Sequence, residues 1–579
     1  MAEIILWNSI AKRRRSISDT FYDNGLGTLK GYLEDKGHNV EVIDWARGDF
    51  FQSLSPLGLA RGIRNIYTAL GSIKNKAIKK FLAFAYLNMQ ETLSAIQRKR
   101  LRRKIKKLAY ELKKKKAHIV GIKIWYGDAF KNAKYLIKVL KKIAPETCLI
   151  AGGYHLTLYE ERIFENSEFD LGVVCEAEYA LEKILNIADN YAGAWDKNKF
   201  LNDVTISAKE GKIENLIYRK DNRVYKTPRR QPSVHSSKSI PKYVINDNKV
   251  SVHVMVESLG CDWGKCHFCV HSQFYPHYSL RDPEEITREI EEMLKIGIGV
   301  FRFAGSDTPP SFGARIGQRI KEKNLRIIFG MGSRPIRNAR QQYEHLVNAY
   351  TCLIESGLRA VFMGGESGND FINQEVMNKG VTFEDIVWTI KAFKEAQNKT
   401  GEKAFLSLAL IYPAPLLGKV TLEKVKEDNM RLLKEALPDS VMITPPGPFL
   451  HTRWYEQREK FGFKVEDEII RLAMEYEYVL YKPPKLWPEL GISLEGRPFK
   501  KLLEECNEFR RQVENELDIP TDISDEHFLM FYAAGIKEKE EILKVKKETM
   551  LDIISCDYTL TREIEKRLNL FSKKIAYSD

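Results

Sequence analysis

Three cysteines, Cys261, Cys266 and Cys269, stand in C-x4-C-x2-C spacing within ESLGCDWGKCHFCV at 257–270, directly after the apolar run at 250–256. Three thiolates on one loop after a strand form a metal site that lacks its last ligand. Two chemistries are open. A structural zinc site takes four protein ligands, and His267, His271 or His277 would supply the fourth. An iron–sulfur cluster held by three thiolates keeps one iron open, free to bind a small molecule. The other five cysteines, at 148, 175, 352, 506 and 556, are scattered with no disulfide framework, a usage that suits a reducing cytoplasm.

The elements that must position this loop follow from the alternation downstream. Strand-like runs at 250–256, 300–304, 326–329, 360–363, 404–411 and 440–444 are separated by helical stretches, the first opened by Asp282-Pro283-Glu284-Glu285 with an N-cap and an early proline. Six such units predict a partial (βα)6 barrel of the TIM type rather than a closed eight-stranded one, with its site at the strand ends. Those ends are polar where core packing requires nothing polar: Gly305-Ser306-Asp307, Gly332-Ser333-Arg334 and Gly364-Gly365-Glu366-Ser367-Gly368.

The first third of the chain alternates too. Strands at 3–7, 40–44, 118–124, 148–151 and 171–174 with helices between them predict an α/β domain, a doubly wound, Rossmann-like parallel sheet over residues 1–185. Its ligand crevice should lie at the strands' carboxyl ends. Gly152 and Gly153 would there let the backbone approach a flat ligand closely. A basic helical insertion at 46–116 interrupts the alternation, and a polar connector with a small hairpin follows at 186–249. Beyond the barrel at 250–455, residues 456–579 read as a mainly helical, charged C-terminal region.

The chain has 579 residues, 44% hydrophobic and 11% aromatic, enough to bury several cores. No apolar run approaches the roughly 20 residues that cross a bilayer, and the charges of MAEIILWNSIAKRRR follow its apolar run, the reverse of a signal peptide. The net charge of +14 is concentrated at 98–116, where 12 of 19 residues are Lys or Arg and Leu101, Ile105, Leu108 and Leu112 fall at helical spacing. Such a helix suits an anionic membrane surface, nucleic acid, or simply water on its basic side.

With Phe268 before the last cysteine, the loop resembles that of the radical S-adenosylmethionine (SAM) enzymes, in its GC-W-G version at Gly260-Cys261-Asp262-Trp263-Gly264. The segment VFMGGESGNDFINQEVMNKGVTFEDIV at 361–387 resembles the family's GxESG…MNKG stretch. The pieces KGHNVEVID (36–44), HIVGIKIW (118–125), IAGGYH (150–155) and NSEFDLGVVCEAEYALEKIL (166–185) resemble the cobalamin-binding domain that precedes many radical SAM domains, with Cys175-Glu176-Ala177-Glu178 where the family reads GEGE. The resemblance implies an enzyme with a [4Fe–4S] cluster on Cys261, Cys266 and Cys269, and S-adenosylmethionine against Phe268, Asp307, Arg334 and Glu366. It implies cobalamin against Trp125, Tyr126, Gly152, Gly153, Tyr154 and Glu176. The D-x-H-x-x-G motif that gives cobalt a histidine is absent, so a histidine-free lower face is expected. A 5′-deoxyadenosyl radical would abstract hydrogen from an unreactive carbon, and methylation is the commonest outcome, with cyclisation or carbon–carbon coupling as the alternative. A methylthio-transferase is disfavoured for want of a second cysteine triad, and a zinc-binding nucleic-acid module would leave the strand pattern unexplained. The implied partners are a ferredoxin or flavodoxin as electron donor and a lipid, tetrapyrrole, peptide or natural-product substrate. The implied location is the cytoplasm, with peripheral membrane contact through 98–116 and no nucleic acid. The C-terminal region is expected to close over substrate.

Overall fold

The structure, a computed structural model, describes residues 3–578 apart from 126, 192, 222, 233–238, 467–481 and 488. Its first sheet runs Asn39–Asp44, Glu3–Asn8, Ile119–Lys123, Cys148–Gly152 and Leu171–Val173, all parallel. Side chains alternate between two apolar faces, as buried parallel strands require. Ile4, Leu6, Ile119 and Ile150 meet the helices Asn24–Asp35 and Glu178–Asp189, while Ile5, Trp7, Val120 and Leu149 meet Asp128–Ile143 on the other side. The hairpin expected in the connector, Leu216–Lys220 with Arg223–Lys226, extends this sheet as its antiparallel edge.

The basic stretch belongs to a 39-residue helix, Lys76–Lys114. Leu101, Ile105, Leu108 and Leu112 are fully buried in one core with Trp7 and Val120. This corrects one part of the membrane reading of 98–116: its apolar stripe is already covered by the protein's own core and cannot rest on lipid.

The second sheet holds Val252–Met255, Val300–Phe303, Ile328–Ser333, Leu358–Glu366, Phe405–Ile411 and Ser440–Thr444 side by side in chain order, all parallel. This is the open six-stranded barrel that the alternation predicts. The strands' carboxyl ends carry the polar residues, and their amino ends are apolar.

Those apolar ends explain a second correction. Among the described residues, the last three helices, Asp525–Ala533, Lys539–Ser555 and Thr559–Ala576, do not lie over the site. Helix Asp525–Ala533 sits under the opposite mouth of the barrel, where Phe528, Leu529 and Phe531 bury Val252, Val300, Ile328 and Ala360, and Phe528 stacks on Phe405 at 4.7 Å. Helices Lys539–Ser555 and Thr559–Ala576 continue to the first domain. There Glu565 pairs with the buried Arg14 at 2.7 Å, Asp552 pairs with Arg64, and Gln90 Nε2 donates to the Ile554 carbonyl at 2.9 Å. The stretches Arg453–Glu456, Phe463–Val465 and Ile492–Leu494 lie on the site side, and helix Phe499–Leu517 packs on the carboxyl end of the edge strand Ser440–Thr444 through Cys506 and Arg510; Tyr476 and Tyr478 lie outside the described residues.

Candidate active site

Metal-binding geometry separates the two readings of the cysteine loop. Four ligands of one zinc at about 2.3 Å would set their sulfurs roughly 3.8 Å apart. Among the described residues, the set of three or more donors lying within 4.8 Å of one another is Cys261, Asp262 and Asp307, and it does not contain Cys266 or Cys269. The three thiols therefore do not all converge on the single point that one zinc ion requires. The histidines offered to zinc are engaged elsewhere. His267 Nδ1 donates to the Val376 carbonyl at 3.1 Å with Nε2 facing Arg453, and His271 Nδ1 lies 3.3 Å from Ser306 Oγ. His277 is exposed to solvent.

Residues 377–380, the MNKG segment, clasp this loop. His267 N donates to the Met377 carbonyl at 2.9 Å, Asn378 Nδ2 to the Lys265 carbonyl at 3.0 Å, and Trp263 Nε1 to the Asn378 carbonyl at 2.6 Å. The indole lies so close to Gly380 that a Cβ there would come within 2.4 Å of it, and the Arg334 and Arg337 guanidiniums lie 5.6 and 5.1 Å from its ring centre. Trp263, inside the C-x4-C gap, thus joins the cluster loop to MNKG.

Charges of both signs converge above the barrel. Arg334 donates through Nη1 to Asp262 at 2.9 Å, through Nη2 to the Lys379 carbonyl at 2.8 Å, and through its backbone N–H to Asp307 at 3.1 Å. Burial pushes Asp307 up to about 6, with Arg334 pulling it back. Burial likewise pushes the Cys266 thiol up to about 12, opposed by Lys379 and Arg334, the two cations that favour a thiolate there. Lys379 is buried, donates to Glu366 at 2.8 Å, and lies 6.0 Å from the Phe268 ring centre, which itself packs 5.7 Å from Trp454. So Phe268, Asp307, Arg334 and Glu366 do share one end of the barrel with the cysteines. Lys379, Trp263 and the buried Glu257, which accepts from the Gly305 N–H at 3.0 Å and from Thr308, were missed. Trp263 in GC-W-G and Lys379 in MNKG stand in segments that the resemblance marks, and that is the signal that points to them; Glu257 has no such mark.

The second candidate pocket is a cleft of about 320 Å³ at the carboxyl ends of the first sheet. Its floor is small or apolar: Leu6, Gly121, Ile150, Ala151, Gly152 and Gly153. Nothing lies within 4 Å of where a Gly152 Cβ would stand, and Gly153 has φ +96°, a conformation that glycine adopts without strain. Glu176 and Glu178 rim the cleft, Asn24 and Thr28 add polar groups, and Leu259, Tyr275 and Arg281 of the barrel domain complete its wall. A broad apolar floor with amide and carboxylate partners at the rim fits a corrin with its amide side chains. No histidine lines the cleft among the described residues; His155 is turned away, between Phe130 and Tyr159, and burial holds it down at about 3.

Of the residues expected at the corrin, Gly152, Gly153 and Glu176 line the cleft. Trp125 does not, lying with its ring centre 5.2 Å from Lys123 Nζ, and Tyr126 is outside the described residues. Tyr154 stands between the two sites: it is 43% exposed, meets Phe274 edge-on at 6.1 Å, and feels the charge of Cys269. Cys175 takes the left-handed φ of +57° that the family's glycine would take more easily, its N–H held by Thr157 Oγ1 at 2.9 Å.

Comparison with known proteins meets the same two sites. The radical SAM superfamily profile matches residues 256–412, and the B12 binding domain profile matches residues 87–185. The chain is 23% identical over 281 residues to the anaerobic magnesium-protoporphyrin IX monomethyl ester cyclase of Rubrivivax gelatinosus, covering 46% of this chain and 47% of that one. The Cereibacter sphaeroides cyclase gives 22% over 283 residues, covering 46% and 42%. The match thus spans about half the length of these curated relatives or less. Among solved structures, the radical S-adenosylmethionine methyltransferase TsrM of Kitasatospora setae, with cobalamin and a [4Fe–4S] cluster bound, superposes with a TM-score of 0.58 at 13% identity, covering 94% of this chain and 99% of that one. The cobalamin-dependent S-adenosylmethionine radical enzyme OxsB, with aqua-cobalamin bound, gives 0.57 at 14%, covering 95% and 72%.

Proposed function

We propose that this chain, a radical SAM enzyme with a B12-binding domain, uses S-adenosylmethionine and cobalamin together to methylate an unactivated carbon of its substrate. When bound, the cluster and S-adenosylmethionine supply a carbon-centred oxidant, and the corrin supplies a methyl group. The protein's part is recognition and placement. Cys261, Cys266 and Cys269 would hold the cluster, with Arg334 and Lys379 balancing its negative charge. Asp307, Glu366, Arg334 and Lys379 would read the ammonium and carboxylate of the methionyl end, and Phe268 would pack on its adenine. Gly152, Gly153 and Glu176 would seat the corrin. Tyr154 and Tyr275, between the two pockets, would hold water away from the reacting carbon.

The observation that carries this reading is the shared wall. Residues of the barrel domain, Leu259, Tyr275 and Arg281, line the cleft of the first domain, and burial, with Cys175, Glu176 and Glu178 beside it, raises the Tyr275 phenol. Two cofactors placed on either side of one space suit a reaction that uses both. The sequence likeness to a cyclase supports a second reading, in which the same radical chemistry closes a ring without methyl transfer. Anaerobic turnover with methyl-deuterated S-adenosylmethionine separates them. A substrate that gains a deuterated methyl group supports methylation; one that loses two hydrogens and gains no label overturns it in favour of cyclisation. An electron donor such as ferredoxin or flavodoxin is part of the proposal, and an apolar or tetrapyrrole-like substrate is the class it favours.

A further inference from the structure

We propose that the outward face of helix Lys76–Lys114, with the hairpin tip leading into it, docks on an anionic lipid bilayer. This face is not the buried stripe described above but its opposite. The helix follows Leu57–Ser72 in an antiparallel hairpin, and residues 74–81 at its start are all exposed. Ile78, Phe81 and Phe84 are 50%, 68% and 67% exposed.

At 100° per residue, Phe81 and Phe84 fall on the same side as Lys99, Arg103, Lys106 and Tyr110, all exposed, while Leu93, Leu101, Ile105 and Leu108 face the core. The result is a rod about 58 Å long with an aromatic end and a cationic shaft. It carries thirteen Lys and Arg residues against two acids. Both acids are engaged, Glu91 by Lys482 and Glu111 by Lys107. At the tip, Lys74, Lys76, Lys79 and Lys80 form no ion pair among the described residues, and no acid occurs between Asp49 and Glu91.

Charge alone would suit any polyanion. The exposed phenylalanines decide the occupant, because a phosphate backbone gives two isolated rings and an isoleucine nothing apolar to enter, whereas the headgroup–acyl boundary takes such side chains while lysines meet the headgroups. No described helix is long and apolar enough to cross a membrane, so the contact is peripheral.

The test is co-sedimentation of the full chain with phosphatidylcholine vesicles with and without phosphatidylglycerol, at low and high salt. Binding to the phosphatidylglycerol vesicles that weakens at high salt is expected. F81S/F84S should weaken it ~10-fold or more, as should conversion of Lys74, Lys76, Lys79 and Lys80 to Gln. Neither change touches a buried group, so unchanged circular dichroism melting shows that the fold persists. Absence of binding at low salt overturns the proposal. So does F81S/F84S binding as well as the unsubstituted chain while a DNA duplex competes more tightly than vesicles, which makes the face a nucleic-acid surface. A dimer lost in F81S/F84S, without vesicle binding, overturns it in favour of self-association.

Discussion

The two α/β halves prepare for ligands in opposite ways. At its strand ends the first sheet offers small residues, Gly121, Ala151, Gly152 and Gly153, with Lys123 the charged strand-end residue in the lining, paired with Asp23. The barrel instead buries Asp307, Glu366 and Lys379 among hydrogen bonds. A wide flat ligand is held by surface, so backbone must be bared to it. A small zwitterion is held by charge, so charges must be buried, and each needs a partner before the ligand arrives. Lys379 with Glu366 and Arg334 with Asp262 are those partners.

That contrast can be broken at several points. The largest effect falls on the barrel: C261A, C266A or C269A should abolish the absorbance of the reconstituted cluster and all S-adenosylmethionine cleavage. C352A, C506A and C556A should leave both in place; if any of them removes the cluster, the ligand set is wrong. Next, G152L places a side chain in open space above the first sheet, so the protein should fold and keep its cluster. Its cobalamin content after reconstitution should fall ~10-fold or more, and undiminished content would place the corrin elsewhere. K379M leaves Glu366 buried without its cation and should cost about 3–5 kcal/mol of stability, measured by chemical unfolding. E366Q/K379M should regain part of that stability but not S-adenosylmethionine binding, which calorimetry would show. The smallest effect concerns pH. His155 titrates near 6.5 when unfolded but is held down to about 3 when folded. Between those values the unfolded chain carries the extra proton, so stability falls as pH drops below 6.5. H155F should flatten that slope of melting temperature against pH, and an unchanged slope would assign it to other groups.

Much of this was legible in the sequence. Both sheets follow from apolar runs separated by helical stretches, because parallel strands buried on both faces leave little else to write. The cysteines and the GGESG and MNKG segments announce themselves through unusual residue types at fixed spacing. What stayed hidden depends on which surface covers which. The stripe of Leu101 and Ile105 has the same period whether it meets lipid or a sheet, and only the fold decides. The C-terminal helices have amphipathic faces that say nothing of which mouth of the barrel they plug. For Lys379 the sequence shows the MNKG segment but not the burial: one lysine among 92 Lys and Arg residues has no mark of that until Glu366 is placed beside it.

The pairing of Arg14 with Glu565 and of Arg64 with Asp552 also fixes an order of events during synthesis. The first sheet and the barrel can each assemble as their own residues emerge from the ribosome. The first ties between them, such as Lys249 with Asp44 and Val250 with Thr20, can form early, whereas the brace that the C-terminal helices add waits until residues as far as Glu565 have been made.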